Sequence, residues 1–258
     1  MIFAPEKTLF WVVCAAAMLA AGCRRSVGYP NDLAAMALNG RVKSVEIASF
    51  MAVDNDGMPE KIAEEPPYKR TVCRFDCEGR CTGVENFISE TLTAWEERFY
   101  DDCRLRAVKV HSVNYGGDRV VGIEYPDESS QIWQVKDETG RVIASRKVKL
   151  GKEKHNGFGL TVSGDPVFYE TSLRKGRMEN VTGTFPDHNE TVEYEYDTNG
   201  EISGYRLRND ADDSVIRVYA EKLDCDRYRN WTKRSVYSVD EDGLYSLQFV
   251  EERTIEYY

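Results

Sequence analysis

Histidine is scarce in this chain. His111, His155 and His188 are the only three in 258 residues, and none is spaced to share a metal with another. Motifs that carry chemistry are missing too: there is no Gly-x-Ser-x-Gly elbow, no phosphate-binding glycine loop and no His-Glu-x-x-His helix. No catalytic residue, cofactor or metal site is therefore expected. Positive charge is in deficit, with 34 Lys and Arg against 44 Asp and Glu, a net −10. A field of that sign repels phosphate backbones, which argues against a nucleic-acid partner. A long apolar run is lacking as well. The candidate stretch, Leu9 to Ala21, is too short to cross a bilayer as a permanent helix, which takes about 20 residues.

What is present begins with that run. LFWVVCAAAMLAA follows Lys7 and ends in small residues, the layout of a secretory signal peptide. It closes as Leu19-Ala20-Ala21-Gly22-Cys23. This resembles the lipobox of bacterial lipoproteins, with two departures: Ala20 stands where the motif prefers a larger aliphatic residue, and Glu6 weakens the positive start. The resemblance implies that residues 1–22 are removed as a signal peptide. It also implies that Cys23 is lipidated through its sulfur and acylated as the new N-terminus, and that residues 23–30 tether a body spanning 31–258. Each buried methylene contributes about 0.8 kcal/mol, and more than one chain makes such an anchor stable. Ordinary cleavage, with Cys23 an incidental thiol, is the alternative. Arg24 and Arg25 follow Cys23 and no Asp does, which by analogy with lipoprotein sorting points to the outer membrane.

Five cysteines remain beyond the leader: Cys73, Cys77, Cys81, Cys103 and Cys225. An exported protein meets an oxidising compartment, so disulfides are an option. The spacing Cys73-x-x-x-Cys77-x-x-x-Cys81 departs from that of a zinc knuckle. A local disulfide and buried or free thiols stay open.

Hydrophobic residues at 41% and charged ones at 30% describe a folded, soluble body, and 15 Tyr favour strands. Asn31-Asp32 caps one short predicted helix, Leu33 to Leu38, which stops at Asn39-Gly40. Beyond it, two-residue alternation takes over, as in Val192, Tyr194, Tyr196 against Glu193, Glu195. That is the pattern of half-buried strands. The bends between them repeat one spacing: Asp54–Gly57, Asp76–Gly79, Asp137–Gly140, Asp197–Gly200 and Asp240–Gly243. Asp accepts local backbone hydrogen bonds and Gly takes positive φ, so each reads as a hairpin turn with a structural role. A calcium loop is the competing reading. The twelfth residue from Asp240 is Glu251, but Leu244 to Phe249 between them reads as a strand.

The frame Tyr-Asp-x-x-Gly at Tyr196 to Gly200 and its relatives resemble the YD/RHS-type hairpin repeats of bacterial exported proteins. Leu38 to Val45 together with Asn230 to Arg234 look like segments of Bacteroidetes-type lipoproteins. The resemblance implies an all-β body, an elongated antiparallel sheet of stacked hairpins, and an envelope address. It implies no activity.

Three sites stand out, each with a plainer reading. Trp231, Lys233 and Arg234 set an indole beside two cations, a stacking platform for a ligand, or else a core Trp flanked by solvated charges. Trp95 and Trp133 carry the same pair of readings. Asn209 to Asp213 holds a cation or is a solvated hairpin tip. The functional expectation is a non-enzymatic envelope lipoprotein that recognises a protein or a glycan, membrane-bound through Cys23. A structural scaffold and a carbohydrate-active enzyme are the alternatives.

Overall fold

The structure, a computed structural model, describes residues 32–36, 38–62, 65–101, 104–113, 117–151, 154–161, 165–174, 177–198, 202–240 and 242–258. The leader, Cys23, the tether, Cys103 and Asn199-Gly200 lie outside them.

The all-β expectation holds. One four-residue helix, α1 (Asp32–Ala35), precedes a 17-stranded antiparallel sheet. β1 (Val42–Asn55) leads by a tight hairpin into the short β2 (Met58–Lys61). A meander follows: β3 (Lys69–Phe75), β4 (Cys81–Ile88), β5 (Thr91–Asp101), β6 (Arg104–Ser112), β7 (Gly117–Asp127), β8 (Ser130–Lys136) and β9 (Val142–Lys149). A second meander runs through β10 (Lys154–Leu160), β11 (Pro166–Arg174), β12 (Arg177–Thr184), β13 (Asn189–Tyr196), β14 (Ile202–Asn209), β15 (Val215–Cys225), β16 (Trp231–Val239) and β17 (Tyr245–Tyr257).

The Asp76, Asp137 and Asp240 bends share one construction, in which the Gly N–H donates to the Asp carbonyl, whereas the Asp54 bend sets Asp56 and Gly57 both at positive φ. Gly57, Gly79, Gly140 and Gly243 all have φ between +80° and +83°. The Asp76 carboxylate accepts the backbone N–H of Glu78 and Arg80 at 3.0 and 2.9 Å, and Asp137 accepts those of Thr139 and Arg141, both at 3.0 Å. One further bend lacks the Asp-x-x-Gly spacing. Asp226 accepts the N–H of Tyr228 and Asn230 at 2.8 and 2.9 Å in the same way, but Arg229 takes the left-handed position at φ +67°. The acidic stretch Asn209 to Asp213 is a hairpin tip, closed by the Asn209 N–H donating to the Ser214 carbonyl at 3.0 Å.

The two meanders meet at the first strand. β1 pairs with β3 on one side, Ser44–Ser49 against Arg74–Lys69, and with β17 on the other, Val42–Met51 against Tyr257–Phe249. The start of the body is thus locked against its end. β9 and β10 are consecutive strands at opposite ends of the sheet, joined among the described residues by the single bridge Gly151↔Lys154. Yet Phe158 of β10 and Phe168 of β11 pack with Trp133 and Val135 of β8, and the Arg146 guanidinium of β9 lies 5.5 Å from the Phe168 ring. The sheet therefore curls until its ends touch. Strand twist and the register slips in most hairpins supply the curvature.

The concave side is filled. One cluster groups Val108, Val121, Trp133 and Phe158; a second groups Val45, Cys73, Phe75 and Val84 under Leu33 and Leu38; a third groups Val167, Tyr169, Val181 and Leu207. Trp133 is thus a core residue. Asp32 anchors α1 by accepting the Cys81 N–H and the Tyr100 hydroxyl, and burial pushes its carboxyl up to about 6. Cys73, Cys77, Cys81 and Cys225 are free thiols, so no local disulfide links the first three.

Candidate functional site

Polar side chains also line the concave side, and they gather where β3, β1, β17 and β16 run together. Register sets Lys69 beside Ser49, Ser49 beside Glu251, and Glu251 beside Arg234. Two residues further along β17, Arg253 faces the same way. Its strand partner Ile47 lies beside Thr71, which donates its hydroxyl proton to Asn86 at 3.0 Å.

Trp231 belongs to this cluster. The pairing between β15 and β16 slips between Asp224↔Lys233 and Cys225↔Trp231. The extra residue Thr232 turns the indole onto the face that carries Arg234. The Arg234 and Arg253 guanidiniums then lie 4.2 and 3.7 Å from the Trp231 ring centroid. Of the trio singled out by sequence, Trp231 and Arg234 come together; Lys233 pairs instead in register with Asp224 and Glu252 on the neighbouring strands. The indole, 7% exposed, is covered rather than presented as an open platform. Arg253, Lys69 and Ser49 each read in sequence as an ordinary polar strand residue, and Glu251 stood out only as the twelfth position after Asp240.

The charges of the cluster are unequal. Glu251 accepts both Nε and Nη2 of Arg234 at 2.6 Å and the Ser49 hydroxyl at 3.1 Å. Burial alone would raise the Glu251 carboxyl. The Arg234 charge and hydrogen bonds, with Ser49 and Lys69, hold it below the usual carboxylate range. Arg253 has no such counterpart. It is 7% exposed, and its Nε and Nη1 are buried without a hydrogen-bond partner among the described residues. Burial, then repulsion from Arg234, pushes it down to about 9. A second inward pair, Arg98 Nη2 on Glu96 at 3.2 Å, sits deeper in the first meander.

The convex side is different. Exposed ion pairs cross between strands along it: Lys43–Glu256, Arg74–Glu85, Lys154–Glu170, Arg206–Glu195 and Arg217–Glu195. Trp95 stacks on His111 at 5.6 Å, with His111 Nδ1 2.7 Å from Asp118. On β15 to β17, Tyr219, Tyr237 and Tyr245 form an outward aromatic trio with centroids 5.5 to 6.2 Å apart. Burial raises the Tyr237 hydroxyl, and the nearby carboxylates of Glu221 and Asp54 add to the effect.

The chain matches no protein-family model and no curated protein. Among solved structures it is similar to a porin-like protein from Bacteroides uniformis, at 10% identity and a TM-score of 0.42, over 89% of this chain and 100% of that one. It also matches the Tc holotoxin pore of Photorhabdus luminescens, at 14% identity and a TM-score of 0.20; 73% of this chain is covered but only 13% of that one. Neither likeness is close enough to carry an argument about this chain.

Proposed function

We propose that this chain is a non-enzymatic envelope lipoprotein: a water-facing β body, held at the outer membrane through Cys23, that recognises a protein or glycan with its outer wall. The observation that carries this reading is the charge on the convex face. A membrane-spanning barrel needs an outward apolar band about 25 Å tall, and an Arg or Lys at its midplane costs about 2–4 kcal/mol. Here Glu193 and Glu195 on β13 and Arg206 and Arg208 on β14 point outward along strands of only 8 residues. No such band fits there. A body of this kind needs a separate anchor to stay on a membrane, and the lipidation expected at Cys23 supplies one.

The aromatic trio with Glu221 and Asp54 is the part of the wall best suited to a partner. Rings give contact area at little entropic cost, and carboxylates take hydroxyl or ammonium donors. The enzymatic alternative needs two carboxylates facing each other across a cleft. The inward Glu251, Glu96 and Asp32 are each already engaged, by Arg234, Arg98 and the Cys81 N–H respectively.

A pull-down from envelope extract and a glycan array, run in parallel with the protein and its Tyr219→Ala/Tyr245→Ala double variant, test the reading. Capture of a partner that the double variant loses at least tenfold is the expected result. A body that captures neither protein nor glycan would turn the reading toward the scaffold.

A further inference from the structure

We infer that the inner cluster of Arg253, Arg234, Lys69 and Trp231 is a binding site for a small free anion. This cluster lies on the inner face, apart from the outer wall. Among the described residues, Arg234 and Arg253 share one carboxylate here, and Glu251 is committed to Arg234 and Ser49. Asp226, the next acid toward Arg253, is held by Asn230 and the Tyr257 hydroxyl. Among the described residues, Arg253 is left with two buried donors unanswered, pressed against the Trp231 ring. A buried charge is costly unless it is paired and hydrogen-bonded. An anion against the Nε and Nη1 of Arg253 removes that cost.

Access and size select the occupant. The Arg234 side chain is 25% exposed, whereas Arg253 and Trp231 are both 7% exposed. With Arg253 and Trp231 so nearly covered, a small ion suits the site better than the carboxylate of a bulky acid or of a glycan. Guanidinium donors suit halide and carboxylate alike, so chloride, bromide and acetate are the relevant class.

The test is thermal unfolding of the purified full chain in bromide or acetate, ionic strength held constant with a bulky organic anion, beside Arg253→Gln. A ligand bound only by the folded state raises Tm by roughly 5–10 °C at about one hundred times its Kd. The wild-type chain is expected to show such a saturable rise and Arg253→Gln to show none. Equal rises in both proteins would mean surface screening and overturn the inference, as would no rise in the wild type. Should Arg253→Gln fail to fold, bromide anomalous scattering from wild-type crystals decides. A peak within about 3.5 Å of the Arg253 guanidinium supports the site. A peak only on the convex surface marks an adventitious ion only and overturns it.

Discussion

Arg229 shows how much of this fold is carried by single backbone positions. In four bends a glycine takes the left-handed place at no steric cost, whereas in the Asp226 bend an arginine does so at φ +67°. The left-handed region costs a non-glycine residue about 1–2 kcal/mol, part of which glycine returns as extra unfolded-state entropy. Arg229→Gly should therefore stabilise the protein by about 0.5–1 kcal/mol, read as a higher denaturant midpoint at unchanged slope. Titration adds a second residue-scale prediction. Burial alone would lower the His188 pKa, but Asp187 at 2.7 Å and Glu190 at 3.3 Å accept from its two nitrogens and raise it. A raised folded pKa means stability fully present below the unfolded value of about 6.5 and lost as pH climbs through the folded one. His188→Gln should then lower Tm more at pH 5.5 than at pH 8.5; an equal loss at both would refute the imidazolium. The bends were legible because Asp and Gly act within four residues. The Asp226 bend was not, because its glycine is missing. The inner cluster was not legible either, since Glu251-Glu252-Arg253 reads as a solvated run and only the Thr232 slip turns Trp231 toward it.

Between strands, backbone proximity decides what is tolerated. Gly204 of β14 sits where an added Cβ would lie 2.4 Å from the Val218 carbonyl oxygen of β15. Neither strand can give way without breaking its ladder, since Gly204 pairs with Glu195 and Tyr219 on either side. Gly204→Ala should cost about 2–3 kcal/mol by urea unfolding. Gly122, with nothing within 4 Å of its added Cβ, should accept Ala within about 0.5 kcal/mol. The hairpins themselves followed from alternation and turn chemistry, which are local. Pairing of β1 with β17 joins residues some two hundred positions apart, such as Ser49 and Glu251. Nothing in a local pattern specifies that register, and the curl that brings Phe158 onto Trp133 is equally remote.

Taken whole, the molecule is a curled sheet with its core clusters and the Arg234–Glu251 and Arg98–Glu96 pairs turned inward and most of its other ion pairs turned out. Ser44 to Ser49 of β1 pair with both halves, β3 on one side and β17 on the other. On the function proposed above, this outer wall faces water and membrane association rests on a lipid at Cys23. Fractionation of cells producing the wild-type chain or Cys23→Ser tests this most directly, with carbonate extraction of the membrane pellet and circular dichroism of what is released. The prediction is a wild type that stays in the membrane pellet and a variant that leaves it as a soluble β-rich protein. A Cys23→Ser protein that keeps its β-sheet signal and still resists carbonate would show that the sheet itself holds the membrane, and would contradict the account.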